Sequence, residues 1–553
     1  MFSQILFVCL AAAVLFNCNE AAAPKPPDFG SRYHATGFVQ LPYAELNEPF
    51  EIYFDGKNGM GRIDFYGGMD QAFYNGSMKP YGVAYEVYPW VKTKTSIVPV
   101  MHCSTMPGEK GSPVMPQSML PDLTNFKMDG QELIDGRMTD VWMNVTNVGT
   151  AKVNKYMFYV SRGSNVVPVR YEMMGLDTLL GSHYDKYVIE YTMFDNTTVF
   201  KQSVFTPPTE CSKTLAYGSE NHIRVNPYQE LFNPELGDRY HEMFNEYKAE
   251  HGKVYVDDAE HEKRKVQFTH NVRLIHGNNR QGLSYSLAVN HLADRFDDEL
   301  RMMRGRRPSK GPVGGAPFTM EDFKIMDPPT SLDWRLSGAV SQVKDQAICG
   351  SCWSFGAAEA IEGAYFMKNK KMVRFSQQNL MDCSWGYGND ACNGGDETLA
   401  YQWVIDHKGL MTEEAYGPYL GQDGKCHFNA SNVGVKIANF TQVKSGNLTA
   451  LKMALVNVGP VAVGIDAALK TFSFYASGVY YDKACGNKPD DLDHAVLAVG
   501  YGTMMVNKTE TPYWIVKNSW STYWGNNGYV LMSQKDNNCG VATAATYVTL
   551  PTK

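Results

Sequence analysis

The chain lacks a long apolar segment beyond its first two dozen residues, and this absence excludes a membrane-spanning helix there. It also lacks a large excess of charge, since 51 Lys and Arg residues against 58 Asp and Glu residues give a net charge of −7. Nucleic-acid binding needs an excess of basic residues, so a nucleic-acid partner is not expected. We expect neither a metal ion nor a cofactor.

The first 23 residues have the pattern of a secretory signal peptide. An apolar run from Ile5 to Phe16 precedes the small residues Ala21 to Ala23, as in cleaved leaders. A signal anchor is the alternative, but the run is short for one. Asn-x-Ser/Thr triplets, which accept N-linked glycans, agree with a secretory route. They begin at Asn75, Asn144, Asn196, Asn429, Asn439, Asn447 and Asn507.

The cysteine count predicts one free thiol. Of the 11 cysteines, Cys9 and Cys18 lie in or beside the predicted leader, which leaves an odd number. Cys103 and Cys211 are the only two in the amino-terminal region, so we expect the bridge Cys103–Cys211. Seven remain near the carboxy terminus, and spacing alone does not settle how they pair. These are Cys349, Cys352, Cys383, Cys392, Cys426, Cys485 and Cys539.

At 553 residues the chain is too long for one core, and three or four units are expected. Residues 24–228 predict an antiparallel β domain, either a curved sheet or a partial barrel. The alternating stretches Phe50–Phe54 and Gly61–Tyr66 flank a turn at Asp55–Gly59, which is typical of a hairpin. The stretches Tyr156–Val160 and Tyr187–Tyr191 have the same pattern. No motif in this unit indicates chemistry.

Three motifs near the carboxy terminus predict a nucleophilic cysteine. Cys352 lies in a Gly-Ser-Cys-Trp turn before a helical pattern, and His494 and Asn518 follow in separate motifs. A helix amino terminus and an imidazolium both favour a thiolate, and an asparagine can orient the imidazole. A buried inert thiol is the alternative, but it fits poorly in this turn. The order of these residues resembles that of the papain-type cysteine proteases.

The resemblance covers residues 328–553 and implies a papain-like α+β fold, with a helical left lobe and a β-barrel-like right lobe. It implies that Gln346 and the backbone N–H of Cys352 form an oxyanion hole, and that an acyl-enzyme is the intermediate of peptide hydrolysis. It also implies three disulfides, which leave Cys352 free. These are Cys349–Cys392, Cys383–Cys426 and Cys485–Cys539.

The same resemblance implies the substrate-binding residues. Gly394 and Gly395 would let a substrate backbone pair with the protein backbone. Asp396 and Glu397 stand at positions that line the S2 pocket and are often apolar in the family. Either they favour a basic or polar P2 residue, or both simply face solvent. The other residues placed at the cleft are Gly464, Asp493, Trp520 and Ala544.

Residues 229–327 resemble the inhibitory pro-domain and linker of cathepsin L-type precursors. Six residues at helical steps form one stripe, which matches the interrupted E-R-F-N-I-N signature. These are Glu260, Arg264, Phe268, Asn271, Ile275 and Asn279. The stretch Ala288–Asp294 resembles the second signature of these pro-domains. The basic, Gly- and Pro-rich stretch Arg304–Gly315 predicts an exposed linker that proteases can cut.

The resemblance as a whole implies a cathepsin L-like endopeptidase zymogen of the secretory pathway, destined for a lysosome, a secretory granule or the extracellular space. The chain as a whole resembles insect haemocyte cathepsin-like proteinases with an extra β domain. The expected partners are protein or peptide substrates, the pro-domain as inhibitor, and an amino-terminal domain that stays associated with the mature peptidase. The alternatives are an exopeptidase whose amino-terminal domain blocks the cleft, and a binding protein with secondary protease activity.

Overall fold

The computed structural model describes residues 24–90, 100–178, 181–208, 211, 213–215, 218–232, 239–309, 314–506 and 508–552. The predicted leader and the Asn507 triplet lie outside these ranges. Of the residues that are described, none belongs to a helix long and apolar enough to cross a membrane.

The amino-terminal region is a single sheet of 12 strands within the described ranges. The strands are Arg32–Leu41 (β1), Leu46–Asp55 (β2), Met60–Phe65 (β3), Asp70–Asn75 (β4), Val83–Trp90 (β5), Val100–Pro107 (β6), Lys127–Ile134 (β7), Arg137–Val148 (β8), Lys152–Ser161 (β9), Pro168–Asp177 (β10), Ser182–Asp195 (β11) and Lys213–Thr214 (β12). Their order is β12-β6-β5-β4-β3-β2-β1-β11-β10-β9-β8-β7. Short connections therefore join most neighbouring strands.

The predicted hairpin at Asp55–Gly59 joins β2 to β3. The Asp55 carboxylate accepts the Asn58 N–H at 3.2 Å, and Gly59 has φ of 67°, a left-handed conformation that glycine adopts without steric cost. Along β2, buried Phe50 and Ile52 alternate with more exposed residues, because successive side chains of a strand point to opposite faces. One face of the sheet therefore contributes to a core.

The predicted pro-domain is helical. Its elements and those that lead into it are Ser219–Val225 (α1), Gln229–Phe232 (α2), Arg239–His251 (α3), Asp258–Arg280 (α4), Tyr285–Leu287 (β13) and Asp297–Met302 (α5). Helix α4 begins after Asp257, whose carboxylate accepts the Glu260 N–H at 2.8 Å, an N-cap interaction. All six residues of the predicted stripe lie within this one helix.

The signature stripe holds the pro-domain's own chain against α4. Arg264 forms ion pairs with Glu260 and with Glu299 of α5. Asn271 Nδ2 donates to the Ala293 carbonyl at 2.9 Å. Polar side chains of the stripe thus fix later segments of the pro-domain in place.

The carboxy-terminal region combines helices with a second sheet. Its helices are Cys352–Asn369 (α6), Gln377–Cys383 (α7), Glu397–Asp406 (α8), Glu413–Tyr416 (α9), Leu448–Val458 (α10) and Lys470–Ser473 (α11). Its strands are Leu332–Asp333 (β14), Leu410–Met411 (β15), Val433–Val435 (β16), Asn439–Gln442 (β17), Val461–Ile465 (β18), Tyr475–Tyr480 (β19), His494–Val506 (β20), Thr509–Lys517 (β21), Tyr529–Ser533 (β22) and Ala544–Thr549 (β23). The main sheet has the order β13-β19-β22-β21-β20-β18-β23-β17.

The three regions share one continuous core. Strand β13 of the pro-domain pairs with β19 of the carboxy-terminal region. One cluster of buried apolar side chains contains Phe65 of the first sheet, Phe268 of α4 and Phe472 of α11. The structure contains the bridges Cys103–Cys211, Cys349–Cys392, Cys383–Cys426 and Cys485–Cys539. Cys352 is the free cysteine among the described residues.

Candidate active site

Cys352 is the first residue of α6 and is fully buried. The helix amino terminus favours a thiolate at this position. Hydrogen bonds from the backbone N–H groups of Ala495 and Gly305 act in the same direction. Burial outweighs them and raises the pKa of the Cys352 thiol to about 12. The thiol is therefore neutral in this state of the molecule.

His494 opens β20 and is held by Asn518, which directly follows β21. Nε2 of His494 donates to Oδ1 of Asn518 at 2.8 Å, since an amide oxygen can only accept. Nδ1 of His494 has no protein partner. Burial lowers the pKa of His494 to about 4. The ring of Trp520 lies 4.8 Å from the imidazole, centre to centre, and shields it from water.

Residues 303–309, which we name the cleft segment, pass directly over Cys352. A Cβ atom at Gly305 would lie 1.8 Å from the Gly350 carbonyl oxygen, so only glycine fits. Gly395 N–H donates to the Gly305 carbonyl at 2.9 Å, and Arg307 N–H donates to the Gly395 carbonyl at 2.8 Å. The backbone of Gly395 is thus fully occupied by the cleft segment.

The amide of Gln346 is occupied in the same way. Its Nε2 donates to the Met303 carbonyl at 2.8 Å and to the Cys349 carbonyl at 2.8 Å. Its Oε1 accepts the hydroxyl of Ser519. The donor that the resemblance assigns to an oxyanion hole therefore binds a carbonyl of the cleft segment instead of a substrate.

The prediction of an exposed linker from Arg304 to Gly315 is wrong for Arg304–Arg306, whereas Arg307 and Pro308 are exposed. The side chains of Arg304 and Arg306 are only 11% and 7% exposed, because both find acidic partners in the cleft. Gly314 and Gly315 are exposed. Residues 310–313 lie outside the described ranges. The composition indicated a linker, but it gave no information on these partners.

Arg306 lies between the two acidic residues predicted at the S2 pocket. Its Nε is 3.2 Å from Oε1 of Glu397, and its Nη2 is 3.8 Å from Oδ2 of Asp396. Both carboxylates are buried, so neither faces solvent here. Burial raises the pKa of Glu397, while Arg306 opposes that rise. A buried cation is thereby matched to a buried acidic pocket.

The two acids have different surroundings. Asp396 caps α8, since its Oδ1 accepts the Thr398 N–H at 2.8 Å, and its Oδ2 accepts the Ser309 N–H at 3.1 Å. Glu397 instead points towards Gly356 of α6 and meets Arg306. Glu397 is therefore the acid whose charge is available to a side chain in the pocket.

Two small residues form the opposite side of this pocket. A Cβ atom at Gly464 would lie 2.7 Å from Nε of Arg306. Gly464 is paired with Ala544 across strands β18 and β23. Gly394, with φ of 119°, would bring a Cβ atom 2.7 Å from Nε of Arg307. The absence of side-chain bulk at these positions leaves room for long basic side chains.

Asp493 holds a second arginine on the other side of Gly305. Nε of Arg304 is 2.9 Å from Oδ2 of Asp493, and Nη1 of Arg304 donates to the Ala467 carbonyl at 3.3 Å. Burial raises the pKa of Asp493 to about 6. The cleft therefore has an acidic socket on each side of Cys352.

The structure brings together the residues predicted for the site and adds three that the sequence reasoning missed: Arg304, Gly305 and Arg306. No local signal indicated them, because the acids that bind Arg304 and Arg306 lie far away in the sequence, at Asp493 and Glu397. Within the described ranges, no group of three or more His, Cys, Asp or Glu side chains is arranged to hold a metal ion. Among the predicted glycosylation sites, Asn196 and Asn429 are exposed.

A cysteine, a histidine and an asparagine beneath a covering segment define a cysteine peptidase in latent form. The papain family cysteine protease domain matches residues 328–549, and the cathepsin propeptide inhibitor domain (I29) matches residues 244–300. The chain belongs to the papain family, and it contains the pro-domain of a cathepsin L-like precursor.

Relatives agree with this assignment over the same part of the chain. A cathepsin L-like peptidase of Aedes aegypti is 43% identical over 318 residues, which are 55% of this chain and 92% of that protein. Cathepsin L of Sarcophaga peregrina is 40% identical over 323 residues, 56% of this chain and 93% of that protein. A digestive procathepsin L 3 from Tenebrio molitor larval midgut has TM-score 0.52 and 36% identity, covering 57% of this chain and all of that one.

A half-buried histidine, His291, lies where the pro-domain meets the peptidase domain. The ring of His291 is 6.1 Å from that of Tyr523 in the peptidase domain. Burial lowers the pKa of His291 to about 4, and the cations Lys253, His251 and Arg295 add to this effect against a smaller opposing effect of Asp294. Release from the peptidase would restore water around His291 and so raise its pKa towards the ordinary 6.5, although Lys253, His251 and Arg295 belong to the pro-domain and stay with it. Closure therefore weakens as the pH falls from 6.5 towards 4.

We predict that His291→Gln makes the precursor more resistant to acid activation. Glutamine keeps a polar side chain but cannot take up the proton. The closed precursor therefore no longer loses stability through this residue as the pH falls from 6.5 to 4. The pH at which half of the precursor is converted in a fixed time should fall by about half a unit. Gel analysis of conversion measures this, with exposed His183→Gln as the control. An unchanged midpoint in His291→Gln would contradict the assignment.

Proposed function

We propose that the protein is the zymogen of a cysteine endopeptidase that hydrolyses peptide bonds through a thioester acyl-enzyme. The observation that supports this most directly is the hydrogen bond from His494 to Asn518 beside Cys352 at the start of α6. Catalytic roles follow for Cys352 as nucleophile, His494 as proton carrier and Asn518 as the group that orients the imidazole.

The catalytic groups become active when the cleft segment leaves the cleft. Water then reaches Cys352 and His494, so the burial that keeps both neutral is lost. A thiolate–imidazolium pair forms, the sulfur attacks the peptide carbonyl, and the imidazolium protonates the leaving amine. Water then hydrolyses the thioester. Gln346, freed from Met303, and the Cys352 N–H stabilise the oxyanion by roughly 3 kcal/mol per donor.

The finer architecture belongs to this proposal. We assign α6, α7 and α8 to the left lobe and the main sheet with α10 to the right lobe, with the cleft between them. We assign residues 1–23 to a signal peptide, 24–228 to the β domain, 229–327 to the pro-domain and linker, and 328–553 to the peptidase. The predicted leader and glycosylation triplets support a route through the secretory pathway to a lysosome, a granule or the extracellular space.

The exopeptidase alternative depends on where the β domain lies after activation. Arg304 donates to the Ala468 carbonyl. Two residues further along the chain, Lys470 forms an ion pair with Glu45 of the β domain at 2.8 Å. A β domain that remained there would lie near that end of the cleft. Peptides blocked at both termini separate the two functions, because only an open cleft cleaves them efficiently.

We predict that an epoxide probe labels Cys352 alone in the activated enzyme. The other described cysteines are in disulfides, and Cys352→Ala should abolish labelling and turnover. His494→Ala should reduce kcat by roughly 100- to 10,000-fold, the usual contribution of a general acid–base group. Thermal unfolding of each variant is the control for folding. Labelling that persists in Cys352→Ala would contradict the assignment.

The buried Arg306 supports a preference for arginine at P2. Its guanidinium occupies a pocket with Glu397 on one side and Gly464 on the other, and a substrate arginine would offer the same group to the same carboxylate. A hydrogen-bonded ion pair in a partly desolvated site contributes roughly 1–3 kcal/mol, about a five- to hundred-fold preference. The structure thus favours a basic S2 specificity governed by Glu397.

We predict that Glu397→Met lowers the Arg-to-Leu ratio of kcat/KM at P2 by roughly five- to hundred-fold. Asp396→Asn is the matched control, because asparagine keeps the α8 cap and Asp396 is farther from the guanidinium. In the wild type the Arg preference should weaken on acidification as Glu397, whose pKa is raised, takes up a proton. A P2 library measures these ratios. Equal ratios in Glu397→Met and wild type would refute the role of Glu397.

A further inference from the structure

Helix α4 is buried on two faces, although only one of them carries large apolar side chains. The signature stripe faces the rest of the pro-domain through Arg264 and Asn271. A second stripe recurs at steps of three and four residues and therefore lies along another face of the same helix. We name it the outer stripe, and it consists of His270, Arg273, Gly277 and Arg280.

The outer stripe has no large apolar side chain, yet it is almost completely buried. The side chains of Arg273 and Arg280 are only 5% and 4% exposed. Arginine is rarely buried to this degree unless it is paired. Without the β domain this stripe would be an ordinary solvated face, so its burial requires a specific partner.

The β domain provides that partner at matching positions. Arg280 donates Nε and Nη2 to the two carboxylate oxygens of Glu48 in β2, at 3.0 and 2.7 Å. Arg273 contacts both carboxylate oxygens of Asp185 in β11, at 3.1 and 3.0 Å. Bidentate arginine–carboxylate pairs are geometrically demanding. The Arg280–Glu48 pair is of this kind. Arg273, seven residues away on the same helix, adds an ion pair in which Nη1 alone contacts both oxygens of Asp185, and the two pairs together fix the position of the helix on the sheet.

The other two residues of the outer stripe, Gly277 and His270, are also in close contact with the β domain. A Cβ atom at Gly277 would lie 2.7 Å from Leu46 of the β domain, so a larger residue would push the helix away. Nε2 of His270 is 3.1 Å from the Tyr184 carbonyl of β11. Direct contact of the β domain with the peptidase is weaker by comparison. In the Glu45–Lys470 pair the Glu45 side chain is 57% exposed, and exposed ion pairs contribute little.

We propose that the β domain is a receptor for the outer stripe of α4. On this account residues 24–309 form one body, which holds the inhibitory helix folded and leaves the peptidase as a unit. The body also contains Arg304 and Arg306, so after cleavage it is a folded inhibitor of its own peptidase. In the precursor, the amino-terminal domain is therefore held against the peptidase through the pro-domain helix. This adds to the proposed function a role for the β domain that the peptidase chemistry does not require.

The first test uses the fragment that the complete chain itself yields. A precursor cut between Gly315 and Pro328 is bound through a tag on its carboxy terminus, and the amino-terminal body is released by acid and returned to neutral pH. Amide hydrogen exchange across α4 is then compared with that in the uncut precursor. Protection in α4 that remains within tenfold of the precursor's supports the proposal. Exchange at the rate of an unfolded peptide overturns it.

The second test measures inhibition of the processed wild-type peptidase by the released body. Arg280→Met leaves Glu48 buried without its cation, and removal of one partner of a buried pair should weaken inhibition by roughly 100-fold. The double variant Glu48→Leu/Arg280→Met removes both charges and should recover most of that loss. Lys263→Met, on an exposed position of the same helix, is the matched control and should change nothing.

Arg280 does not belong to the part of the body that touches the cleft, so its effect on inhibition reports on the β domain alone. If the proposed peptidase activity is wrong, the processed peptidase shows no turnover even without the body. That outcome differs from a loss of inhibition by the variant body. If Arg280→Met inhibits as well as wild type while α4 stays protected, the β domain is not the receptor for the helix. If Arg280→Met and the double variant lose inhibition equally, the two side chains do not act as a pair, and the proposal is again overturned.

Discussion

The close fit of Gly305 over Cys352 is the constraint on which the latent state depends. At this point the cleft segment is too near the Gly350 carbonyl to accept any side chain. That closeness excludes water, and the exclusion of water keeps Cys352 and His494 neutral. The same placement fixes the arginines on either side of Gly305, one at Glu397 and the other at Asp493. One backbone contact thus keeps the catalytic pair neutral and places the two arginines in their acidic pockets.

That fit is maintained from a distance by the arrangement of three regions around α4. The peptidase domain holds the pro-domain through the pairing of β13 with β19 and through Tyr523. The β domain covers the opposite face of α4 with Glu48 and Asp185. A helix enclosed on both sides has few ways to unfold locally, so the cleft segment that follows it is held at a defined depth.

Much of this was open to prediction because the relevant signals are local. Helical steps of three and four residues predicted the stripe in α4, and the Asp55–Gly59 turn predicted its hairpin. Both depend on residues close in sequence. The burial of Arg306 and Arg280 was not predictable in this way. Each depends on a carboxylate more than 90 residues away in sequence, at Glu397 and Glu48. A basic, Gly-rich stretch is more often a solvated linker, so composition favoured the wrong answer for Arg304–Arg306.

The rate at which iodoacetamide alkylates Cys352 in the intact precursor at neutral pH shows whether the cleft segment keeps the thiol neutral and inaccessible. The rate in the precursor should be at least 100-fold slower than in the processed enzyme. Only an accessible thiolate is alkylated, and a population of about one per cent of this form in the precursor already gives that ratio. Gly305→Ala should accelerate alkylation roughly tenfold or more, since the added methyl group costs about 1–3 kcal/mol. Gly386→Ala, where a Cβ atom meets nothing within 4 Å, should leave the rate unchanged. Equal alkylation rates in the intact precursor and the processed enzyme would contradict the account.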